Sequence, residues 1–545
     1  MIAAVAMTAL SAAAQETYEN ARLIEDDLNG TARYVGMGGA MDALGAEIST
    51  MSSNPAGVGM FRHSNISVSG GLVVQQGGAD FRNGSTTNAS FDQAGFVYSI
   101  QSNRKSYFNV GFNFHKSKNF DYILAAAAGA VNGSSQNALS FIKGIGQDRQ
   151  AGTDAQGRPL VVSDYNFNQG NGTMYWTSQL DNLYYNAFII DKPTGYPFFT
   201  KASDYDFKRA NTGYIGEYDI NLSGNINNRV YLGMTVGIHS VHYQGISEYT
   251  EQLIDINNKP VGALSIEDDR RITGTGYSVA FGAIIRPMEN SPFRVGLSVA
   301  TPTFYTLTTK NVTQLVNRVD PAQGYNPYNP NYVASGSYEF KMNTPWKFGL
   351  SLGHTVAQIA AIGAGIEYAD YSHIDTREIS GEYYDYWTDT YSTGSASDRQ
   401  MNDHTDRTLK GVLTARIGAE IKPDPSLALR VGYNYVSPMY KSDGTKEFQI
   451  DSYGVNASSA TDYTNWKATH RLTCGIGYRV KHFSIDLAYQ YSVRDGDFYP
   501  YQNAWGDYHY VENNEQGTEK IDIISSPVSV SNKRHQVLMT LGYTF

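Results

Sequence analysis

The stretch 533–545 obeys a strict two-residue period: Val537, Met539, Leu541, Tyr543 and Phe545 alternate with Gln536, Leu538, Thr540, Gly542 and Thr544. Neighbouring side chains of a strand point to opposite faces, so this period makes one apolar row and one that is mostly small or polar. Thirteen earlier segments repeat the pattern. The sequence therefore predicts strands at 64–75, 93–102, 105–115, 211–224, 229–243, 271–286, 291–303, 344–355, 358–371, 410–422, 427–439, 469–481, 483–493 and 533–545. Each is near or above the ~9–11 residues that a tilted strand needs to cross a bilayer. In the third, Phe108, Val110, Phe112 and Phe114 oppose Asn109, Gly111 and Asn113.

The gaps between these segments alternate short and long. Ser102–Arg104, Asn225–Asn228, Pro287–Asn290, Lys422–Pro425 and Lys481–His482 are tight turns, and between them lie loops of about 17, 95, 27, 40, 38, 29 and 39 residues. Outer-membrane barrels have short periplasmic turns and long extracellular loops, whereas a soluble sandwich has no reason to sort its connections this way. The expected fold is all-β, a 14-stranded antiparallel transmembrane β-barrel in the outer membrane of a Gram-negative bacterium. An even strand number returns the carboxy terminus to the periplasmic side. The aromatic Phe545, closing the last strand, is the expected handle for the barrel-assembly machinery.

Composition fits this reading. With 17% charged residues and a mean hydropathy of -0.38, the chain is too polar for a helical membrane protein. A barrel is polar on average because half of each strand faces its interior. A formal net charge of -10, without basic clusters interleaved with aromatics, argues against nucleic acid as a partner. Residues 1–14 are apolar and end in Ala12-Ala13-Ala14, the expected remnant of a secretory signal. The lone Cys474 falls on an apolar row and reads as a small lipid-facing hydrophobe.

Charge fixes which row faces the interior. Glu367, Arg416, Glu420, Arg430 and Asp486 all sit opposite the apolar rows. A register slip would turn them into lipid, at ~2–4 kcal/mol for each basic group at mid-bilayer. Such residues either pair across the lumen as fillers or contact a substrate.

Residues 15–63 do not read as strand. Glu16–Leu28 suits a short helix. Gly36, Gly38 and Gly39 mimic a phosphate loop but lack the strand, lysine and acidic partner that would support one. They suit backbone packed closely in a narrow space. Ser52-Ser53-Asn54-Pro55-Ala56-Gly57 is a turn by its chemistry.

Gly36-Met37-Gly38-Gly39-Ala40 followed by Asn54-Pro55-Ala56-Gly57 resembles the amino-terminal hatch of the FadL/TodX family, outer-membrane transporters of long-chain fatty acids and other hydrophobic compounds. The stretches Thr344–Leu350, Glu367–Ser372, Arg416–Glu420 and Arg430–Tyr435 extend the resemblance down the barrel. The resemblance implies a plug, residues 15–63, inside a barrel of residues 64–545. It also implies capture of a greasy ligand at the extracellular loops, rearrangement of the hatch, and release through the barrel wall into outer-membrane lipid. Gly36, Gly38, Gly39, Asn54, Pro55, Ala56 and Gly57 are the hatch residues it points to, and Gly111 is a candidate site for a wall kink.

The long loop 116–210 contains an apolar run, Tyr122–Val131, that suits a helix either lining a ligand groove or packed on the barrel mouth. Ile123, Leu124, Tyr184, Tyr185 and Phe188 are the candidate capture residues, with Tyr196, Phe198 and Phe199 as further aromatic walls. Alternatives are a general porin, which a glycine-rich plug argues against, and a haem or porphyrin receptor. The latter would draw on His115, His239 or His354, which nothing in the sequence pairs. An enzyme is least supported: neither a His-Glu-x-x-His pattern nor a Gly-x-Ser-x-Gly elbow occurs. No cofactor and no metal site is expected.

Overall fold

The computed structural model describes residues 16–129, 131–142, 152–153, 159–160, 178–180, 183–184, 201–255, 257–320, 331–357, 359–385, 390–448, 450, 452–512 and 515–545. The signal remnant, Tyr185, Phe188, Tyr196, Phe198 and Phe199 lie outside them. Fourteen antiparallel wall strands close on themselves among the described residues. They are β1 Asn65–Gln75, β2 Thr87–Asn103, β3 Ser106–Asn119 continued as Tyr122–Gly129, β4 Lys201–Ile226 and β5 Val230–Ile254. Next come β6 Pro260–Ile285, β7 in two pieces (Arg294–Ala300, Phe304–Asn317) and β8 in two (Asn331–Asn343, Lys347–Val356). β9 (Ala360–Asp370, Asp375–Asp385) and β10 (Thr390–Ser397, Gly411–Asp424) are also broken. The ring ends with β11 Leu427–Val436, β12 Tyr463–Val480, β13 Phe483–Tyr499 and β14 Val528–Thr544. β14 pairs with β1 from Asn65↔Thr544 to Gln75↔Arg534, which closes the barrel.

The apolar rows face outward. Ile66, Leu297, Ile366, Ile417, Leu472 and Met539 are all exposed, and Cys474 is exposed among them. Their alternates, such as Ser67, Asn221, Glu420 and Thr540, are buried in the lumen.

The sequence places the wall correctly but stops it too soon. β4, β5 and β6 run for 26, 25 and 26 residues, well past the ~9–11 that span lipid. Above the lipid belt the outer face meets water, so alternation continues with polar and charged residues and the apolar row disappears. Much of what reads as loop is therefore strand extension. The run Tyr122–Gly129 is strand, not helix: it adds to β4 from Tyr122↔Asn211 to Gly129↔Asp204, and that ladder outweighs alanine's helical preference. Pro302 and Pro345, which lack N–H groups, break β7 and β8 side by side. There Thr344 donates its N–H to the Thr303 carbonyl at 3.1 Å, and the Thr303 N–H reaches Thr344 Oγ1 at 2.8 Å.

The plug fills the lumen. Helix α1, Thr17–Ile24, is capped by the Glu16 carboxylate, and α2, Ala32–Gly36, by Thr31, whose hydroxyl accepts from the Tyr34 N–H. Asn54 caps the 3-10 turn Pro55–Met60, with Pro55 at its first position. Above the plug, Leu139, Leu180, Leu183, Tyr184, Phe448 and Tyr501 form an apolar cap with the strand extensions.

Candidate functional site

The hatch lies directly on the wall because the wall has been stripped to glycine where they meet. Gly353, Gly363, Gly418 and Gly432 are register partners on β8, β9, β10 and β11. A Cβ on Gly363 would come under 3.0 Å from the Ala40 carbonyl oxygen, and one on Gly418 or Gly432 would meet the backbone of Met37 or Gly38 as closely. On the opposite side Gly233 and Gly282, partners on β5 and β6, receive the Asn54-Pro55-Ala56 backbone in the same way. Gly38 and Gly39 themselves adopt φ of 64° and 78°. Gly111 is not a kink: it makes room for Met51. The wall glycines escaped sequence reading, although their recurrence one per strand was the available signal.

Wall amides and hydroxyls then donate to hatch carbonyls. Asn109 Nδ2 reaches Val58 at 2.8 Å, Asn225 Nδ2 reaches Gly59 at 3.1 Å and Thr235 Oγ1 reaches Met51 at 2.8 Å. These bonds satisfy non-helical backbone held at membrane depth.

The lumen charges pair with one another and with the hatch. Arg430 bonds Glu420 at 2.7 Å and Asp486 at 2.6 Å, and Arg33 of α2 joins Glu420 at 3.1 Å. Arg416 links Glu367 at 3.0 Å to Asp42 of the hatch at 3.1 Å. Higher up, hatch acids meet wall bases. Glu19 pairs with Arg270 at 2.8 Å, Glu25 with Arg494 at 2.7 Å and Lys118 at 3.4 Å, and Asp27 with Lys118, Arg471 and Arg534 at 3.5–3.8 Å. Burial alone would raise the Asp27 carboxyl, but these three cations hold it down at about 2. The acidic run Glu25-Asp26-Asp27 was the legible signal for this docking.

Two cavities of about 130 Å³ each border the upper hatch. One is polar, lined by Asp26, His115, Glu217, Asp219, His239 and Lys347. The other mixes rings and cations, with Tyr18, Phe120, Tyr122, Trp466, Arg471 and Arg494. Leu124 also lines it; Ile123 is buried but lines neither cavity, and Tyr184 is fully buried in the cap and lines neither.

Beside these cavities the wall has a seam. The β2–β3 ladder ends at Gln93↔His115. Beyond it β2 pairs only with β1, and β3 only with β4. Side chains and the hatch bridge the space. The Asp27 N–H donates to the Ser117 carbonyl at 2.7 Å, and Asn29 Nδ2 donates to Asp92 at 3.0 Å and to the Lys116 carbonyl at 3.1 Å. Gln75 exchanges two bonds of 2.8 Å with the backbone of Ile123. On the lipid side Phe91 and Phe114 stack at 5.7 Å across the foot of the seam. A larger apolar groove of about 590 Å³, between Phe281, Leu297, Phe348 and Leu413, lies on the lipid face over an unbroken ladder.

Of the three histidines singled out, His115 and His239 approach the same carboxylate, Glu217, at 3.5 and 3.8 Å. His354 stands apart, against Phe293.

Fold and site together describe a membrane-spanning barrel with a glycine-seated internal plug. The chain is similar to the solved toluene transporter TbuX of Ralstonia pickettii, at 12% identity and a TM-score of 0.48, over 95% of this chain and 99% of that one. It is also similar to the toluene transporter TodX of P. putida (13%, TM-score 0.46, 95% and 99%) and to a FadL homologue of Pseudomonas aeruginosa (12%, TM-score 0.46, 96% and 100%). No family model and no curated relative matches the chain.

Proposed function

We propose that the chain is an outer-membrane channel of a Gram-negative bacterium for passive uptake of hydrophobic small molecules, and that its hatch and its wall seam open together. One observation carries this reading. The Lys116 and Ser117 carbonyls, just past the last residue that β3 pairs with β2, accept from Asn29 and Asp27 of the hatch, so a hatch that moves uncovers the wall there. Cavities of about 130 Å³ are smaller than the ~300–1,000 Å³ of pockets for drug-sized ligands, so a long acyl chain needs that movement. Once the hatch withdraws Glu25 and Asp27, aromatic rings beside Arg471, Arg494 and Arg534 suit an amphiphile with an anionic head, such as a fatty acid. The ligand leaves sideways past Phe91 and Phe114 into lipid.

The test tethers hatch to wall. Cells carrying the full chain with Asn29→Cys and Asp92→Cys, joined by a short reducible crosslinker, should take up labelled fatty acid several-fold more slowly, with recovery on reduction. Uptake indifferent to the tether overturns the coupling. In planar bilayers the untethered protein should pass little steady current; a large open-pore current would favour a porin.

A further inference from the structure

Glu217 and Asp219 stand two residues apart on β4, both turned into the lumen, and β3 and β5 set His115 and His239 on either side of Glu217 as its register partners. His115 Nε2 is 3.5 Å from Glu217 Oε2, and its Nδ1 is 3.5 Å from Asp219 Oδ2. One donor atom from each of His115, Glu217 and Asp219 lies within 4.8 Å of the others. Asp219 is fully buried, and beyond the long contact to His115 neither of its carboxylate oxygens has a well-formed hydrogen bond. Lys347, which lines the same cavity, is already paired with Asp26. Two buried carboxylates thus share a small space with the imidazoles of His115 and His239, which approach them only at 3.5–3.8 Å, and a weakly compensated buried carboxylate is costly.

We propose that His115, Glu217 and Asp219 form a binding site for a divalent transition-metal ion of the zinc type. An imidazole nitrogen with two carboxylate oxygens is a donor set such ions accept, whereas calcium and magnesium favour oxygen alone. Bonds of ~2.0–2.2 Å need donors somewhat closer than 4.8 Å, a closure within reach of side-chain rotation. All three residues line the same cavity of about 130 Å³, which has room for a water as a further ligand. His239, held by Ser278 Oγ at 2.9 Å, stands 3.8 Å from Glu217 on the neighbouring strand. The ion would tie β3 to β4 at His115, the last residue that β3 pairs with β2. This site is independent of the transport reading: metal binding and uptake are separate measurements.

The experiment uses the full chain in mild detergent, without a polyhistidine tag and stripped with chelator. Zinc is titrated calorimetrically and cobalt by visible absorption. The expected result is one ion per barrel, with His115→Gln and Asp219→Asn each weakening binding at least ~10-fold. Both variants should keep the heat-dependent gel shift of a folded barrel, so the loss reports ligation and not misfolding. Excess calcium should leave zinc in place. The proposal fails if the parent protein binds no more zinc than the double variant, if both single variants bind as tightly as the parent, or if calcium displaces zinc.

Discussion

The carbonyl of Ala40 faces the α-carbon of Gly363 with no room for a methyl between them. The contact joins the hatch to the middle of a row of four paired glycines on adjacent strands, so the plug is seated by backbone against backbone. Side chains on the wall would hold it off.

Gly363→Ala should therefore displace the 37–44 segment without undoing the ladder. Overpacking of this kind costs ~1–3 kcal/mol. The expected outcome is a barrel with a normal heat-dependent gel shift but faster proteolysis within the hatch. Hatch protection equal to the parent would show that the wall absorbs the methyl instead.

Glu420 is 3% exposed and takes bonds from both Arg33 and Arg430. Glu420→Gln removes the charge that two guanidiniums share. Breaking a buried pair at one partner costs ~3–5 kcal/mol, so the urea midpoint of the lipid-embedded barrel should fall clearly. Arg416→Gln, which leaves Asp42 and Glu367 facing each other, should act in the same direction.

Docking of the upper hatch should be acid-sensitive only at low pH. The Asp27 carboxyl lies at about 2 when docked, below the ~3.9 of a free aspartate, because Lys118, Arg534 and Arg471 favour its charged form. A depressed carboxyl stabilises docking fully above its free value and loses that contribution as pH falls through the docked one. Bilayer conductance should stay low down to about pH 4 and rise toward pH 2. Asp27→Asn should conduct more at neutral pH and lose that dependence.

The barrel was legible because lipid imposes a period-2 code on fourteen short segments. Ile417 and Glu420, on opposite faces of one strand, are enough to orient it. Beyond the lipid that code weakens, so the periodicity ends short of the true ends of β4–β6, and the apolar run Tyr122–Val131 suits a helix where the chain forms the strand Tyr122–Gly129. Pairing partners are not written in a single segment. Nothing local in β2 or β3 says that their ladder ends at His115, and nothing local says that His115 and His239 share Glu217. The hatch glycines Gly38 and Gly39 were visible, but the wall glycines that receive them make sense only once strands are set side by side.

Ala56 is fully buried between Tyr231 and Ile284, with Gly233 and Gly282 against its backbone. Ala56→Trp cannot fit there, and the turn Pro55–Met60 must leave the wall. Because the strands pair independently of this turn, assembly should be preserved, as judged by the gel shift. Uptake of a labelled fatty acid should be impaired several-fold, since a hatch seated in the wrong place no longer sets Asp27 and Asn29 against the Ser117 and Lys116 carbonyls at the seam. Pro55→Trp should behave alike. Uptake at the parent's rate in both variants, with the barrel intact, would remove the hatch from the mechanism and leave the seam to open on its own.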